Sequence, residues 1–435
     1  MTKPEALRRG FRRPHEADPG ETDLPRLLVV SHVLPISSRS GQVQRVRYSL
    51  EAFRRSYHVT FCSAVRPEQQ ESVRQGLLGL CDEALLFTSK SQHGVVARTW
   101  HRLAGVAYSA STGLKRSNYL IGQVDFSPRH ILKLIDDRKF DCVLFEYWHS
   151  WRASQALRLR GLPTVLDTHN ILWKSRYQQL DQRSWIPLGI RRWSIRRYRR
   201  AEEKAWQAYD AIIAINRQEH QVIRACVPEP TPVFYAPMGI DLSRWPFSWS
   251  PPKDTRIAYY GGLGSPHNQQ SARMCLEAIM PAIWRERPQA QLYLIGSNPP
   301  PSILAMQSDP RVIVTGFVDN IPPLLAKMSL VLCPWRGTFG FRSRLVEIAA
   351  VGVPIIASYD AVDGMDFDSG HDILLSRDEI EMAAQAVRLL DHPDEAVSQS
   401  RAARRRVEDS WSVQATYDRL VDETSAWLES RRTAV

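Results

Sequence analysis

The strongest constraint on this chain is a repeated unit: a short, wholly apolar run, a polar or glycine-bearing loop, then a helix-like stretch. Residues 26–31 (RLLVVS) open the series, followed by a loop over 32–44 and a helix over 46–55. Apolar runs return at 57–63, at 142–146 before a helix reaching 160, at 164–167, and at 211–215 after a long basic helix over 188–209. The texture then changes. Prolines at 228, 230, 232, 237, 246, 251 and 252 mark a tract with little periodicity. Beyond it the alternation restarts. Residues 256–260 run into Gly261-Gly262-Leu263-Gly264 and a helix over 269–287; 291–295 ends at Gly296, 312–315 at Gly316, and 330–333 at Pro334; 354–357 precedes a helical tail from 380 onward. Short buried strands alternating with helices form parallel sheets covered on both faces. Two such series in 435 residues, against the roughly 100–200 of one domain, predict an α/β protein of two doubly wound domains. They are expected at 26–235 and 256–410, with a hinge at 236–255 and a closing segment at 411–435 that can return to the first domain. Ligands in such sheets bind at the carboxyl ends of the strands, so two facing domains imply a cleft.

Residues 1–25 are charged, broken by Pro4, Pro14, Pro19 and Pro25, and lack the apolar core of a signal peptide; they read as a disordered leader. No run reaches the ~20 apolar residues of a membrane span. Six cysteines lie far apart with no metal-ligand spacing, which fits a reducing, cytoplasmic setting. Net charge is +11 but uneven: residues 1–246 carry +15 and the remainder −4. A basic half calls for an anionic partner, whether phosphate, nucleic acid or an acidic membrane surface.

Three segments carry candidate chemistry. Ser38-Arg39-Ser40-Gly41-Gln42 lies between the first strand and its helix, where backbone N–H groups and the helix dipole suit a phosphate; with one glycine where a dinucleotide fingerprint needs three, an ordinary tight turn explains it equally well. Tyr260-Gly261-Gly262-Leu263-Gly264 is a second glycine loop after a strand, and the following Ser265-Pro266-His267-Asn268 departs from the nicotinamide spacing. The third, residues 334–357, is the most specific. A strand ends at Pro334, and a helix expected from Phe341 carries Arg342, Arg344 and Glu347 before Gly352 and Pro354 stop it. Cations in a first turn oppose the helix dipole, and an anionic ligand such as a diphosphate compensates them. Glu347, one turn on, can accept hydrogen bonds from a ribose diol. A surface helix with incidental charges is the bland alternative.

Residues 334–357 resemble the signature of the retaining family 4 glycosyltransferases (glycosyl transferases group 1), whose GT-B architecture faces two Rossmann-like domains across a cleft. Further elements occur in the family's order: Asp167-Thr168-His169-Asn170 is similar to its D-x-H-N element, Met238-Gly239-Ile240-Asp241 with Phe247 to its hinge-proximal element, Tyr260-Gly261-Gly262 to the opening of its donor domain, Gly316-Phe317-Val318 to its base-side loop, and Trp411 to the start of its closing helix. The resemblance implies catalytic positions at His169, Arg342, Arg344 and Glu347. It implies donor contacts from Gly41, Gly262, His267, Asn268, Phe317, Val318, Phe339 and Gly340, and acceptor-side positions at Asp167 and Asn170. It implies no metal and no cofactor, the nucleotide sugar, a UDP- or GDP-sugar, being a substrate. Two departures stand out. Phe339 occupies the place of the family's first carboxylate, eight residues before Glu347, and His267 and Asn268 replace its Arg and Lys. An exopolysaccharide-type bacterial subgroup resembles the chain at both places.

The basic helix around Arg191 to Lys204 repeats Ile190, Trp193, Arg197, Ala201 and Ala205 at helical spacing, which would turn these inward and leave Arg192, Arg196, Arg199 and Arg200 outside. A solvated face, an anionic bilayer contact and a nucleic-acid surface compete for it, and no nucleic-acid module accompanies it. The expectation is a cytoplasmic glycosyltransferase, peripheral on the inner face of the plasma membrane, that moves a sugar with retention from a nucleoside diphosphate to a glycan or lipid-linked acceptor. A degenerate nucleotide-sugar-binding scaffold, a nucleotide-sugar epimerase of the same architecture and a small-molecule glycosyltransferase are the alternatives.

Overall fold

The computed structural model describes residues 11–12, 24–36, 40–181, 183, 185–337 and 341–433. The chain divides into two compact units, residues 1–237 with 417–435 and residues 238–416. The first carries strands β1 (Phe11–Arg12), β2 (Arg26–Val30), β3 (His58–Ala64), β4 (Glu83–Phe87), β5 (Cys142–Glu146), β6 (Thr164–Asp167), β7 (Ala211–Ala214) and β8 (Val233–Tyr235). They form one sheet in the order β1-β4-β3-β2-β5-β6-β7-β8, parallel except where β1 pairs antiparallel with β4. The second unit carries β9 (Arg256–Tyr260), β10 (Gln291–Ile295), β11 (Val312–Gly316), β12 (Leu330–Cys333), β13 (Ile355–Ser358) and β14 (Leu374–Ser376), in the all-parallel order β11-β10-β9-β12-β13-β14. Both are doubly wound: the strand order reverses between β2 and β5 and between β9 and β12, and the carboxyl ends there are where such sheets place ligands.

The central strands read as unbroken apolar runs because helices cover both faces. Leu28, Val143, Leu166 and Ile212 in the first sheet, and Ile257, Leu292, Val331 and Ile355 in the second, are fully buried. Residues just after Pro237 fasten to the second unit. Ile240 N–H donates to Trp411 O (2.8 Å), Val413 N–H to Ile240 O (3.1 Å) and Trp249 Nε1 to Met328 O (2.7 Å). Phe247 lies across Gly352, where a Cβ would fall 2.3 Å from the ring and φ is +92°. Only glycine answers both demands at that helix end. The Arg419–Thr433 helix belongs to the first unit, tied by Tyr57 Oη and Ser425 Oγ (2.7 Å), Arg55 to Asp418 (2.7 Å) and Arg431 to Asp210 (3.1 Å).

Several local expectations are corrected. β8 lies inside the proline-rich tract: Pro230, Pro232 and Pro237 flank it rather than interrupt it, and as the sheet's edge it is where prolines are tolerated. β4 and β14 were not evident as strands; β4 starts on the charged Glu83, which is buried and paired with Arg138. Phe11–Arg12 form a strand within the expected leader, whose residues 1–10 and 13–23 lie outside the described ones. The first helix begins at Gly41 rather than near Val46. The helix after β12 begins at Ser343, so Arg342 is its N-cap with extended-side backbone (φ −94°, ψ 78°) instead of a first-turn residue. The basic helix, Leu188–Trp206, turns Ser194, Tyr198, Glu202 and Ala205 inward; Ile190 and Trp193 stay exposed, because Glu202 is drawn in to accept the Leu172 and Trp173 N–H groups.

Candidate active site

In the second unit, β9 ends at Tyr260 and leads into Gly261-Gly262. A Cβ on Gly296 would sit 1.9 Å from Gly261 O, so the loops after β9 and β10 pack backbone to backbone. A relay of hydrogen bonds holds the β9 loop: Trp335 Nε1 donates to Tyr259 Oη (3.0 Å), Tyr259 Oη to Asn268 Oδ1 (3.1 Å), and Asn268 Nδ2 to Gly262 O (2.9 Å). Gly262 itself faces space bordered by Arg344 Nη2, Asn268 Nδ2 and Ser297 Oγ, each 3.8–4.0 Å from where its Cβ would be.

Glu347, on the Ser343–Val351 helix, accepts a hydrogen bond from Tyr260 Oη (2.8 Å). Burial pushes its carboxyl above the usual range, against the pull of Arg344 and of the Tyr260 hydroxyl. The Arg344 guanidinium lies 5.2 Å over the Tyr260 ring, and its Nε is buried without a hydrogen-bond partner. Arg342 donates to Gly337 O (2.6 Å) and lies 5.2 Å over the Trp335 ring, with burial depressing its pKa. Neither arginine forms an ion pair with a carboxylate among the described residues. Glu347 lies in the field of Arg344, and Asp360 and Asp363 in that of Arg342, without closing an ion pair; two guanidiniums at a helix N-terminus, where the dipole also favours negative charge, still suit an anion. His267 is exposed in the first turn of the Pro266–Met274 helix, and Phe317 and Val318 follow β11, two strands away from β9. Phe339 and Gly340 lie outside the described residues.

In the first unit His169, Asp167 and Asn170 are surrounded by residues that carry no local signal in the sequence: Arg45, Glu146, Tyr147, His32 and His149. Asp167 ends β6, and both its carboxylate oxygens meet Nε of Arg45 (2.8 and 3.0 Å), a fully buried residue of the Gly41–Phe53 helix that also donates to Ala236 O (3.0 Å). His169 adopts a left-handed backbone (φ +57°), its N–H donates to Asp167 Oδ1 (3.2 Å), and its Nε2 hydrogen-bonds Glu146 at the end of β5. Its ring stacks on Tyr147 at 4.2 Å and 13°, and its buried Nδ1 has no hydrogen-bond partner. Tyr147, also left-handed (φ +72°), donates to Gln42 Oε1 (2.9 Å). His32, after β2, lies 4.9 Å from the Tyr147 ring and 5.6 Å from His149. Burial, with the neighbouring imidazoles, lowers His32 to a pKa of about 4 and His149 to about 3, so both are neutral near pH 7. Asn170 turns away to Ser175 Oγ (3.2 Å). Gly41 is exposed at its helix start, and residues 38 and 39 lie outside the described set.

Ligand atoms of Glu146, Asp167 and His169 lie within 4.8 Å of one another, close enough to share one ion. Arg45 already occupies both Asp167 oxygens, so a cation there would have to compete with a buried guanidinium. Arg192, Arg196, Arg199 and Arg200 are exposed on the Leu188–Trp206 helix; Arg199 pairs with Glu203 (2.6 Å) and lies 5.1 Å over Trp173.

Comparison with known proteins agrees with this architecture. Residues 40–239 match the model of the glycosyl transferase 4-like domain, and residues 254–392 that of glycosyl transferases group 1. Among solved structures, sucrose-phosphate synthase from Thermosynechococcus elongatus is similar with a TM-score of 0.63 and 16% identity, over 94% of this chain and 100% of that one. HepE of Anabaena, solved with UDP and glucose, gives 0.60 and 12% over 92% and 99%. TarM of S. aureus gives 0.64 and 10% over 93% and 98%. No curated protein sequence matches the chain significantly. At such identities the structural likeness speaks for the fold, while the two domain models, in this order and spanning most of the length, speak for the family. The chain therefore belongs to the two-domain group 1 glycosyltransferases of GT-B architecture.

Proposed function

We propose that this glycosyltransferase takes a sugar from a nucleoside diphosphate, UDP or GDP, and passes it with retention to a glycan or lipid-linked acceptor in the assembly of a bacterial polysaccharide or glycoconjugate. The observation that carries the donor assignment is the grouping, at the β9 and β12 carboxyl ends, of a buried Glu347 held by Tyr260 with two arginines that close no ion pair among the described residues. In the reaction the anomeric carbon exchanges its bond to a diphosphate oxygen for one to an acceptor hydroxyl oxygen; the diphosphate leaves with the electron pair and takes up the hydroxyl proton. Arg342 and Arg344 meet that developing charge with no metal, as preorganised donors in a water-poor site. Glu347 takes the ribose hydroxyls. His169 is the proposed reacting-end residue of this unit: its buried Nδ1 has no hydrogen-bond partner, and Asp167 with Arg45 holds its backbone in place. With Phe339 in place of the family's first carboxylate, the grip on the sugar hydroxyls falls to other groups. HepE, solved with UDP-glucose, is a neighbour whose ligand fits this class of donor.

The first unit, which carries the basic excess, is proposed to meet the acceptor, and the protein to work as a peripheral partner of an anionic cytoplasmic membrane face. No helix among the described residues is long and apolar enough to cross a membrane. A thermal-shift and turnover screen of nucleotide sugars tests the donor assignment. One donor should raise the melting temperature and be consumed with a matching acceptor. A folded protein that neither binds nor consumes any nucleotide sugar would overturn it.

A further inference from the structure

The Gly94–Thr112 helix is the most unusual surface of the first unit. Of its 19 residues only Gly105 is buried. Its outer face presents Val95 (70% exposed), Val96 (84%), Trp100 (67%), Leu103 (62%) and Val106 (57%) to solvent. Val96, Trp100 and Leu103 follow the i, i+4, i+7 spacing of one helical stripe. Single exposed apolar side chains need no explanation, but a contiguous row of this size marks a contact surface.

Its charge says what it contacts. Between Glu83 and Asp125 the chain has no carboxylate side chain, while Lys90, Arg98, Arg102, Lys115 and Arg116 supply five cations. Arg98, Arg102 and Arg116 border a groove of about 480 Å³ on the side of the helix away from the stripe. None of the three is paired with a carboxylate among the described residues. The stem of Arg116 is pressed against the helix, where a Cβ on Gly105 would fall 2.4 Å from its Cγ. Glycine at this point brings the guanidinium to the level of the groove. The helix ends against the basic Leu188–Trp206 helix, where Ser194 Oγ donates to Gly113 O (3.0 Å), so the cationic surface runs on to the exposed Trp193. An apolar row on one side of the helix, with guanidiniums in no carboxylate ion pair on the other, fits a layer that is apolar beneath and anionic above.

We propose that the Gly94–Thr112 helix lies in the headgroup plane of an anionic bilayer, with Val96, Trp100 and Leu103 in the acyl boundary and Arg98, Arg102 and Arg116 on lipid phosphates. This deepens the membrane reading above but does not rest on sugar transfer. It assigns insertion to an element outside the four arginines of the basic helix.

The test floats the full-length protein, without nucleotide sugar, with phosphatidylcholine vesicles lacking or containing one-third phosphatidylglycerol. Binding should be at least about tenfold tighter to the anionic vesicles and weaken as salt rises. Trp100→Glu with Leu103→Glu should abolish it, and Arg98→Gln with Arg102→Gln should weaken it about tenfold. All four sites are exposed, and circular dichroism confirms that the variants fold. Leu103→Cys carrying a polarity-sensitive fluorophore should shift to the blue on anionic vesicles only. Retained binding by the Trp100/Leu103 variant would overturn the proposal. So would an unshifted fluorophore, or a dimer in light scattering that this variant dissociates while wild type ignores vesicles. A wild type that floats but transfers no sugar would sink the donor assignment and leave this proposal standing.

Discussion

At the carboxyl end of the first sheet the buried carboxylates find partners from within: Arg45 sits on Asp167, and His169 hydrogen-bonds Glu146. At the same place in the second sheet, Arg342 and Arg344 touch a carbonyl and aromatic faces, and no ion pair balances them among the described residues. The two halves share a topology and differ in electrostatic strategy. The first pairs its buried arginine with Asp167, and burial keeps His32 and His149 uncharged. The second keeps two guanidiniums at a helix N-terminus with carboxylates near but in no ion pair, an arrangement that an anionic ligand completes. The contrast predicts that equivalent substitutions act on stability in one unit and on ligand affinity in the other.

The largest effect is expected from Arg45→Ala, which leaves Asp167 buried without its cation. Breaking such a pair costs about 3–5 kcal/mol. Denaturant unfolding should show the first unit melting early while the second keeps its transition, and an unchanged curve would erase the contrast. In the second unit the comparable changes, Arg344→Ala and Glu347→Ala, should cost less stability than Arg45→Ala and weaken donor binding between ten- and a hundredfold, in line with the ~1.5–3 kcal/mol of a hydrogen bond to a charged group. Calorimetric titration with the donor reads this directly. Tyr260→Phe is a finer probe, since it removes only the hydroxyl on Glu347; donor affinity should fall threefold to tenfold, matching ~0.5–1.5 kcal/mol. A loss as large as that of Glu347→Ala would mean that the phenol contacts the ligand itself.

The smallest effect is a pH dependence in the first unit. His32 has a folded pKa of about 4 against 6.5 when unfolded, so the unfolded chain binds more protons and the stability from this residue, complete above pH 6.5, is lost as pH falls toward 4. Relative to His32→Asn, wild type should lose about 1 kcal/mol between pH 6.5 and 5.5. Comparing the two proteins by urea unfolding cancels the other titrating groups. A pH-independent difference would show that His32 is solvated, and the pocket not as dry as its packing implies.

Much of the fold is legible because its signals are local. Runs such as LLVV in β2 and LVLC in β12 are apolar throughout, and only strands buried on both faces look like that. β4 and β8 escape for equally physical reasons: one begins on a buried glutamate, and the other is framed by prolines that an edge tolerates. Glu347 and Arg344 can be placed on the helix after β12 because glycine and proline stop that helix visibly. Tyr260 cannot be joined to Glu347 from sequence, since they are 87 positions apart and meet only because β9 and β12 lie side by side. Arg45 and Asp167 are 122 positions apart, and the arginine in the Gly41–Phe53 helix has no local sign of being buried. Helical periodicity assigned the inner face of the basic helix to Ile190 and Trp193, whereas two backbone N–H groups claim Glu202 and turn the helix.

By itself, then, the sequence determined two α/β halves, the helix that bears Arg342, Arg344 and Glu347, and a positive charge concentrated in the first half, because backbone sterics, side-chain period and charge act over a few residues at a time. Tertiary structure alone decided which of those charges are spent internally and which face outward. Pairing Arg45 with Asp167, seating Tyr260 on Glu347 and leaving the apolar row of the Gly94–Thr112 helix uncovered all depend on which strands and helices become neighbours. Desolvation makes that decision, since a buried charge must find a partner and an exposed one need not.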